Sequence, residues 1–237
     1  MNKRLKHSAR KRIVIVEDHP LMCDALARLI SSQIDLDCTG FADNTADARR
    51  LAGQLKPDLI ILDLRLRSGD ALDLIKTLRV EEPEVNVLVL SMYDELMYAE
   101  RVLRAGASGY VMKENVAEEI LHAVRKVLAG DVYFSDRVAA QLVRQTLRHK
   151  PDRSQKNGIE HLSDRELQVF QLIGMAVSNH DIAQQFHLSV KTIETHRENI
   201  KSKLGLQDAV ELNRFAWDWA AQNMLPSAKS LERANRG

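Results

Sequence analysis

Residues 59–63 read LIILD, four apolar residues followed directly by an aspartate. Three further apolar runs also end in polar residues: residues 13–18 read IVIVED, residues 87–91 read VLVLS and residues 109–113 read GYVMK. If these runs are parallel strands, their carboxyl ends lie along one edge of the sheet, where open α/β sheets bind ligands. The pattern therefore predicts that polar side chains from distant parts of the chain converge on one crevice.

The apolar runs belong to a longer alternation of strand and helix patterns between Arg12 and about Gly130. Such alternation is typical of a parallel sheet with crossover helices. Strands are expected at residues 13–16, 36–41, 59–62, 87–90 and 110–112, and helices at 21–32, 45–55, 71–80, 96–105 and 116–129. The third and fourth strands are apolar on both faces, as expected when helices cover both sides of the sheet. The predicted fold class is α/β, a (βα)5 doubly wound parallel sheet of the flavodoxin type.

The strand patterns stop after this region. A helix is expected at residues 136–148, and the charged stretch after it is typical of a solvated linker. An all-α domain of four helices is then expected, and Ser163 with Glu166 three residues later forms a capping box at the start of the first. The other three helices are expected at residues 179–186, 190–203 and 207–222.

Composition limits the possible function classes. The chain has 237 residues, of which 45% are hydrophobic and 28% charged, as in ordinary folded proteins. Its two cysteines, Cys23 and Cys38, do not have the spacing of a zinc or redox motif. No apolar stretch is long enough to span a bilayer, and the N-terminal KRLKHSARKR lacks the apolar core of a signal peptide. We therefore expect a cytoplasmic protein that makes no membrane contact.

The predicted crevice combines the carboxylates of Glu17, Asp18 and Asp63 with the Ser91 hydroxyl and the Lys113 ammonium. A single acid at a strand end most often caps the following helix, but several polar residues at matching strand ends favour a site. Two carboxylates about 4 Å apart repel by roughly 4 kcal/mol at an effective dielectric near 20, so a cation is expected beside them. Mg²⁺ fits such a set of oxygen ligands. Asp63 is then the candidate nucleophile toward a phosphoryl donor, with Lys113 and Ser91 contacting the new phosphate.

The motifs EDHP, LDL, VLVLS and AGASGYVMKE resemble those of the CheY-like receiver domain of two-component response regulators, from about Arg12 to Gly130. The resemblance implies that a sensor histidine kinase phosphorylates Asp63 to give 4-aspartylphosphate. It also implies functional roles for the other crevice residues: the metal is held by Glu17, Asp18, Asp63 and the backbone carbonyl of Arg65, Ser91 and Tyr110 form the switch, and Lys113 binds the phosphate. Receiver domains usually have a proline and a glycine where this chain has Arg67 and Ala71.

Residues 179–186 and 190–203 have the pattern of a helix-turn-helix. On the second helix, Ile193, Ile200 and Leu204 are expected to face the core. The opposite face, which is expected to enter a DNA major groove, carries Lys191, Glu194, Thr195 and Glu198, with Thr192, Arg197 and Lys201 at its margins near phosphates. The alternative is that this charged face is simply solvated, as on most surface helices.

The motifs LSDRE, SNHDIA and LSVKTIETHRENIKSKLG are similar to the LuxR-type DNA-binding domain, although Ala176 stands where that family usually has a glycine. Together the two resemblances imply a response regulator of the NarL/FixJ type that binds double-stranded promoter DNA. The segment Ile159 to Leu225 holds six Lys/Arg and nine Asp/Glu, a net charge of −3, which predicts weak nonspecific DNA binding. Such a protein is expected to depend on a homodimer that forms on phosphorylation, and the fourth helix carries surplus apolar residues that could pair two copies.

The implied domains are a basic arm at residues 1–11, a receiver at 12–131, a helix and linker at 132–158, the helix-turn-helix domain at 159–225 and a polar tail at 226–237. Two other functions remain open from the residues. One is a phosphoaspartate hydrolase, which needs a second acid two residues after Asp63, where Arg65 stands here. The other is a DNA binder that works without phosphorylation and retains a vestigial receiver. The expected protein is not an enzyme.

Overall fold

The computed structural model describes residues 10–66, 68–92, 95–147, 158–186 and 188–223. These residues fall into two compact units, one within Met1–Ser91 and Tyr98–Ala139, the other within Met92–Met97 and Ala140–Gly237. Four parts of the sequence interpretation lie outside the described residues: most of the basic arm, Arg67, the linker at 148–157 and the tail beyond residue 223.

The first unit is a parallel sheet with alternating helices, as predicted. The strands are β1 Lys11–Val16, β2 Leu36–Ala42, β3 Leu59–Asp63, β4 Asn86–Ser91 and β5 Gly109–Met112, and the helices are α1 Pro20–Ser31, α2 Thr45–Leu55, α3 Ala71–Glu81, α4 Glu95–Ala105 and α5 Val116–Leu128. The five strands are ordered β2-β1-β3-β4-β5. The chain therefore changes direction across the sheet between β1 and β3, which is the point where such sheets open a crevice at their carboxyl edge.

Burial explains why β3 forms the centre of the sheet. All five of its residues are buried, and β4 is buried from its second residue onward. An apolar core on one face of the sheet packs β1, β3, β4 and β5 against α1 and α5. Because helices cover both faces, alternation of polar and apolar residues is absent from these two strands.

A short segment after α5 lies along the outer edge of β5, and the sequence patterns did not predict it. Tyr133 forms an isolated parallel bridge with Gly109. The N–H of Tyr110 donates to the carbonyl of Tyr133 at 2.8 Å, and the N–H of Tyr133 donates to the carbonyl of Ser108 at 2.9 Å. We call residues 132–134 the edge segment. The next helix, α6, begins at Asp136 and ends at Leu147.

The second unit contains four α-helices of the C-terminal part of the chain: α7 Asp164–Gly174, α8 Asn179–Gln185, α9 Val190–Leu204 and α10 Ala209–Asn223. The capping box predicted at Ser163 and Glu166 is present. Helices α7 and α10 pack closely at Gly174, where an added Cβ would lie 2.4 Å from the Ala216 carbonyl oxygen. The ring of Phe170 on α7 lies 5.5 Å from that of Trp219 on α10. Among the described residues, no helix is long and apolar enough to cross a bilayer.

Candidate phosphoacceptor site and nucleic-acid interface

Strand register brings the predicted crevice residues together. Asp63 on β3 pairs with Leu90, the residue before Ser91. Ser91 in turn pairs with Met112, the residue before Lys113. From β3 to β4 and from β4 to β5, the polar residue therefore lies one position further along its strand. Because the strands are parallel, Asp63, Ser91 and Lys113 all lie at the same edge of the sheet.

The β1 side of the crevice follows the same logic. Val16 at the end of β1 pairs with Leu62 on β3, so the residues that follow them, Glu17 and Asp63, lie next to each other. The N–H of Glu17 donates to the carbonyl of Ala42 at 2.9 Å, which fixes the backbone at this point. Glu17 and Asp63 are only 4% and 2% exposed. Two carboxylates are therefore buried side by side, an arrangement that requires positive charge close by.

Lys113 supplies part of that charge. Its Nζ lies 2.7 Å from Oε2 of Glu17 and 2.8 Å from Oδ2 of Asp63, and its side chain is 6% exposed. Lys113 starts a short 3-10 helix, Lys113–Asn115, directly after β5, and its ammonium contacts both carboxylates. Lys113 thus bridges two acids that lie far from it in the sequence.

The pKa of Asp63 is raised from 3.8 to about 6. Burial is the largest cause, and the neighbouring carboxylate of Glu17 adds to it. The ammonium of Lys113 and the backbone N–H of Arg65, which donates to Oδ1 of Asp63 at 3.1 Å, act in the opposite direction. Asp63 is therefore mostly ionised at neutral pH, and a further cation close to it would stabilise the ionised form.

His19 is a member of the crevice that the sequence interpretation missed. Its Nδ1 lies 2.8 Å from Oε1 of Glu17 and 2.9 Å from Oδ1 of Asp18. Ligand atoms of Glu17, Asp18, His19 and Asp63 all lie within 4.8 Å of one another. The sequence feature that could have revealed His19 is its position directly after Glu17 and Asp18. Helix and strand periodicity do not indicate where the side chain of a residue between two elements will lie.

The donor set fits a divalent metal ion such as Mg²⁺. Three carboxylates and the Lys113 ammonium leave the crevice with a net charge of −2 when His19 is neutral. Buried charge of this size is costly without compensation, and carboxylate oxygens are the ligands Mg²⁺ prefers. The acidic cluster is therefore consistent with a metal site.

The remaining predicted residues of this site lie around the same edge. Ser91 and Tyr110 are fully buried, at 0% and 1% exposure. Arg65 exposes its side chain and turns its N–H toward Asp63. In the loop that follows, Gly69 has φ +91, and Ala71 is buried at the first position of α3. The left-handed turn that this loop needs is thus made at Gly69, where a glycine adopts it without strain.

The second unit presents the predicted recognition face on α9. Ile193, Ile200 and Leu204 are buried, as predicted. The opposite face exposes Lys191, Glu194, Thr195 and Glu198. Ser189 caps the helix by accepting a hydrogen bond from the N–H of Thr192 at 3.1 Å. The helix therefore displays both a buried and a solvent-facing stripe.

Two of the predicted marginal residues already have protein partners. Nη2 of Arg197 donates to Oδ1 of Asn213 on α10 at 2.8 Å, and burial lowers the pKa of this guanidinium. Nζ of Lys201 lies 2.9 Å from Oε2 of Glu198, and its side chain is 17% exposed. Glu198 is thus partly neutralised on its own helix, whereas Glu194, one turn earlier, forms no ion pair with any of the residues that the structure describes.

A further contact positions α9, and helical spacing alone did not reveal it. Nζ of Lys203 lies 2.6 Å from Oε2 of Glu166, which also accepts from the N–H of Ser163 at 2.7 Å. Burial acts to raise the pKa of Glu166, but these hydrogen bonds and the Lys203 charge bring it below its usual value. Glu166 therefore caps α7 and anchors the end of α9 at the same time.

Helix α10 carries the surplus apolar surface expected from the sequence. Leu212 is buried, whereas Val210 is 75%, Trp217 60% and Phe215 38% exposed. Val210 and Trp217 lie seven residues apart and so share one face of the helix, whereas the Phe215 ring lies 5.8 Å from that of Phe170.

The sequence matches two known families. Residues 13–125 match the response regulator receiver domain, and residues 160–216 match the bacterial regulatory proteins of the LuxR family. The oxygen regulatory protein NreC of Staphylococcus haemolyticus is 35% identical over 209 residues, which cover 86% of this chain and 96% of that protein.

Solved structures show the same fold. A two-component response regulator of the LuxR family from Aurantimonas sp. is 26% identical with a TM-score of 0.54, covering 59% of this chain and 100% of that one. RcsB of Salmonella enterica serovar Typhimurium, bound to a promoter in the presence of the phosphomimetic beryllofluoride, has a TM-score of 0.64 at 20% identity, covering 87% of this chain and 98% of that one. Response regulators with a LuxR-type domain are DNA-binding transcriptional regulators and not enzymes. The chain therefore belongs to the two-component response regulators that join a receiver domain to a LuxR-type helix-turn-helix domain, as in the NarL/FixJ type.

Proposed function

We propose that Asp63 is the phosphoacceptor of this response regulator and that a sensor histidine kinase is the donor. The observation that carries the proposal is the bridge from Lys113 to Asp63 and Glu17 in a buried crevice. This bridge supports the proposed roles because it brings a carboxylate, an ammonium and further carboxylate oxygens into one cluster.

In the proposed reaction, a carboxylate oxygen of Asp63 attacks the phosphorus of a phosphohistidine. The P–N bond breaks, and its electron pair remains on the imidazole nitrogen, which then takes up a proton. Lys113 exchanges its contact with Asp63 for the transferred phosphoryl oxygens, which carry more negative charge. Mg²⁺, held by Glu17, Asp18, Asp63 and the Arg65 carbonyl, would neutralise charge that develops on the phosphoryl group.

Ser91 and Tyr110 are the proposed switch. Ser91 lies one residue beyond the β4 partner of Asp63, so a short inward movement brings its hydroxyl to a phosphoryl oxygen. Tyr110 is fully buried on the neighbouring strand, so a change at Ser91 alters the space around its ring. Close packing converts such a local change into a shift between two discrete arrangements.

The α9 face is the proposed DNA interface. Lys191, Glu194, Thr195 and Glu198 would face base edges in the major groove, and Thr192, Arg197 and Lys201 would lie near phosphates. Because Arg197 and Lys201 already bond Asn213 and Glu198, their phosphate contacts require these partners to be shared or released. This adds to the expectation of weak nonspecific binding by a single copy.

A homodimer formed on phosphorylation is the proposed DNA-binding species. Val210 and Trp217, which are exposed and lie seven residues apart on one face of α10, provide an apolar surface for a second copy. Two copies on two half-sites raise affinity through effective concentration without new base contacts. We further propose that the protein works in the cytoplasm. We also propose the domain boundaries expected from the sequence, with the receiver at residues 12–131 and the helix-turn-helix domain at residues 159–225.

The test combines sizing with DNA binding on full-length protein. Wild type and Asp63→Asn are each measured with and without beryllofluoride and Mg²⁺, using a pool of random-sequence double-stranded DNA from which bound fragments are selected. Wild type should shift toward a dimer and enrich a two-half-site sequence only with beryllofluoride, and Asp63→Asn should not respond. Enrichment of the same sequence by both proteins without beryllofluoride would favour the vestigial-receiver alternative and overturn the switch.

A further inference from the structure

The edge segment connects the switch strand to the chain that leaves the receiver. Two backbone hydrogen bonds flank Gly109: Tyr110 donates to Tyr133 at 2.8 Å, and Tyr133 donates to Ser108 at 2.9 Å. One bond is made by the proposed switch residue Tyr110 itself, and the other by Ser108, two residues before it. The backbone of β5 therefore cannot shift at this point without moving residue 133.

The approach of the two backbones is close enough to restrict the residue at position 109. An added Cβ on Gly109 would lie 2.9 Å from the Tyr133 carbonyl oxygen and 2.9 Å from Cδ1 of Leu88. Real Cβ atoms do not approach so closely, so the glycine permits the contact. Close packing at this point makes the edge segment part of the sheet rather than a loose connection.

The side chain of Tyr133 holds the segment against α5 at three points. Its hydroxyl donates to Oε2 of Glu119 at 3.1 Å. Its ring meets the ring of His122 edge-on at 5.8 Å, and Nζ of Lys126 lies 5.9 Å from the ring centroid. These three residues lie on successive turns of one helix face, so the ring spans α5 while the backbone pairs with β5. Its neighbour Val132 is 62% exposed and lacks this anchorage.

We propose that Tyr133 is a positioning residue that passes the state of the switch to α6. Only Phe134 and Ser135 separate Tyr133 from the first residue of α6, Asp136. A movement of β5 at Tyr110 is therefore carried through backbone hydrogen bonds to Tyr133, and from there to the start of α6. The Tyr133 ring is required because it keeps the edge segment registered against β5. This inference rests on the proposed function, since it concerns how the response to phosphorylation leaves the receiver.

The test is hydrogen exchange on the full chain, with and without beryllofluoride and Mg²⁺, followed in peptides that cover β5 and α6. Four proteins are compared: wild type, Tyr133→Ala, Tyr133→Phe and the exposed neighbour variant Val132→Ala. In wild type both peptides should change their exchange on beryllofluoride addition. In Tyr133→Ala the β5 change should persist while the α6 change falls by about three-fold or more. Tyr133→Phe, which keeps the ring, and Val132→Ala should behave like wild type.

The outcomes separate the inference from the proposed function. If β5 in wild type does not respond to beryllofluoride, the proposed function fails. If β5 responds and α6 responds equally in wild type and Tyr133→Ala, the inference is wrong, as it is if α6 never responds in wild type. Loss of both responses in Tyr133→Ala would show that Tyr133 supports the crevice itself, which also overturns the inference. Should Tyr133→Ala not fold, Tyr133→Leu, which keeps an apolar contact with α5, is scored by the same criteria.

Discussion

Replacement of Asp63 by asparagine should stabilise the metal-free receiver at neutral pH. Asparagine has the shape of the protonated acid but removes one of three clustered carboxylates. The pKa of Asp63 in the folded protein is about 6, against 3.8 for an ordinary aspartate. A difference of 2.2 units corresponds to about 3 kcal/mol at 1.36 kcal/mol per unit. Because the Lys113 ammonium and the Glu17 carboxylate lie within contact distance of Asp63 and can rearrange after the substitution, we expect an increase of about 1–3 kcal/mol in the free energy of unfolding.

The pH dependence has a definite sign. The folded-state pKa of Asp63 is raised, so the folded protein binds its proton more tightly than the unfolded chain. The stabilising contribution of the Asp63 proton is therefore lost from wild type as pH rises from about 3.8 to about 6, and Asp63→Asn lacks this loss. The difference between the two proteins should be largest above pH 7 and should vanish near pH 4. Mg²⁺ should stabilise wild type more than the variant and so narrow the difference at neutral pH.

The chain contains its own probes for this measurement. Its two cysteines, Cys23 and Cys38, both lie in the receiver, and burial raises the pKa of the Cys38 thiol to about 11. Thiol labelling in urea with a chelator present therefore reports unfolding of the receiver. The two tryptophans, Trp217 and Trp219, lie on α10, so their fluorescence reports the second unit and should not change. Asp131→Asn, an exposed acid, is the matched control. Equal or lower stability of Asp63→Asn, or equal stabilisation of both proteins by Mg²⁺, would refute the reasoning.

Three further predictions concern the second unit. Ala176 has φ +57, a conformation that costs an L-residue about 1–2 kcal/mol, so Ala176→Gly should raise the free energy of unfolding by about 1 kcal/mol. Unfolding in urea, monitored by tryptophan fluorescence, measures this change, and an unchanged midpoint would contradict the prediction. Lys203→Met removes the ion-pair partner of the buried Glu166 carboxylate, which keeps its hydrogen bond from Ser163, and should lower the free energy of unfolding by about 1–2 kcal/mol, a figure discounted because the lysine is partly exposed. Because the pKa of Glu166 is lowered, that difference should be present above pH 4.5 and disappear as pH falls through the folded-state pKa; a pH-independent cost would argue against the ion pair. Glu194→Gln removes a carboxylate from the recognition face and should raise affinity for random-sequence DNA by about three- to ten-fold at low salt, whereas an unchanged affinity would place Glu194 away from DNA.

The parallel sheet and most of its crevice were predictable because both follow from local patterns. Strand ends are visible in the sequence, and parallel pairing forces Asp63, Ser91 and Lys113 to one edge whatever the helices do. The recognition face of α9 was predictable for a similar reason, since Ile193 and Ile200 fix which stripe is buried.

Contacts that depend on tertiary packing were not predictable. The ion pair between Glu166 and Lys203 joins residues 37 positions apart on two helices, and no periodicity relates them. Tyr133 pairs with the sheet through a single bridge, which is too short to produce a strand pattern. His19 lies in the short connection between β1 and α1, where the position of a side chain depends on the path of the backbone rather than on a repeat.

The central claim is that Asp63 accepts a phosphoryl group, and direct phosphorylation tests it most plainly. Full-length wild type and Asp63→Asn are incubated with acetyl phosphate and Mg²⁺, and the modified peptide is located by mass spectrometry after reductive trapping of the acyl phosphate. We predict one phosphoryl group on wild type, located at Asp63, and none on Asp63→Asn. Absence of phosphorylation on wild type, or equal phosphorylation of the variant, would contradict the assignment of Asp63.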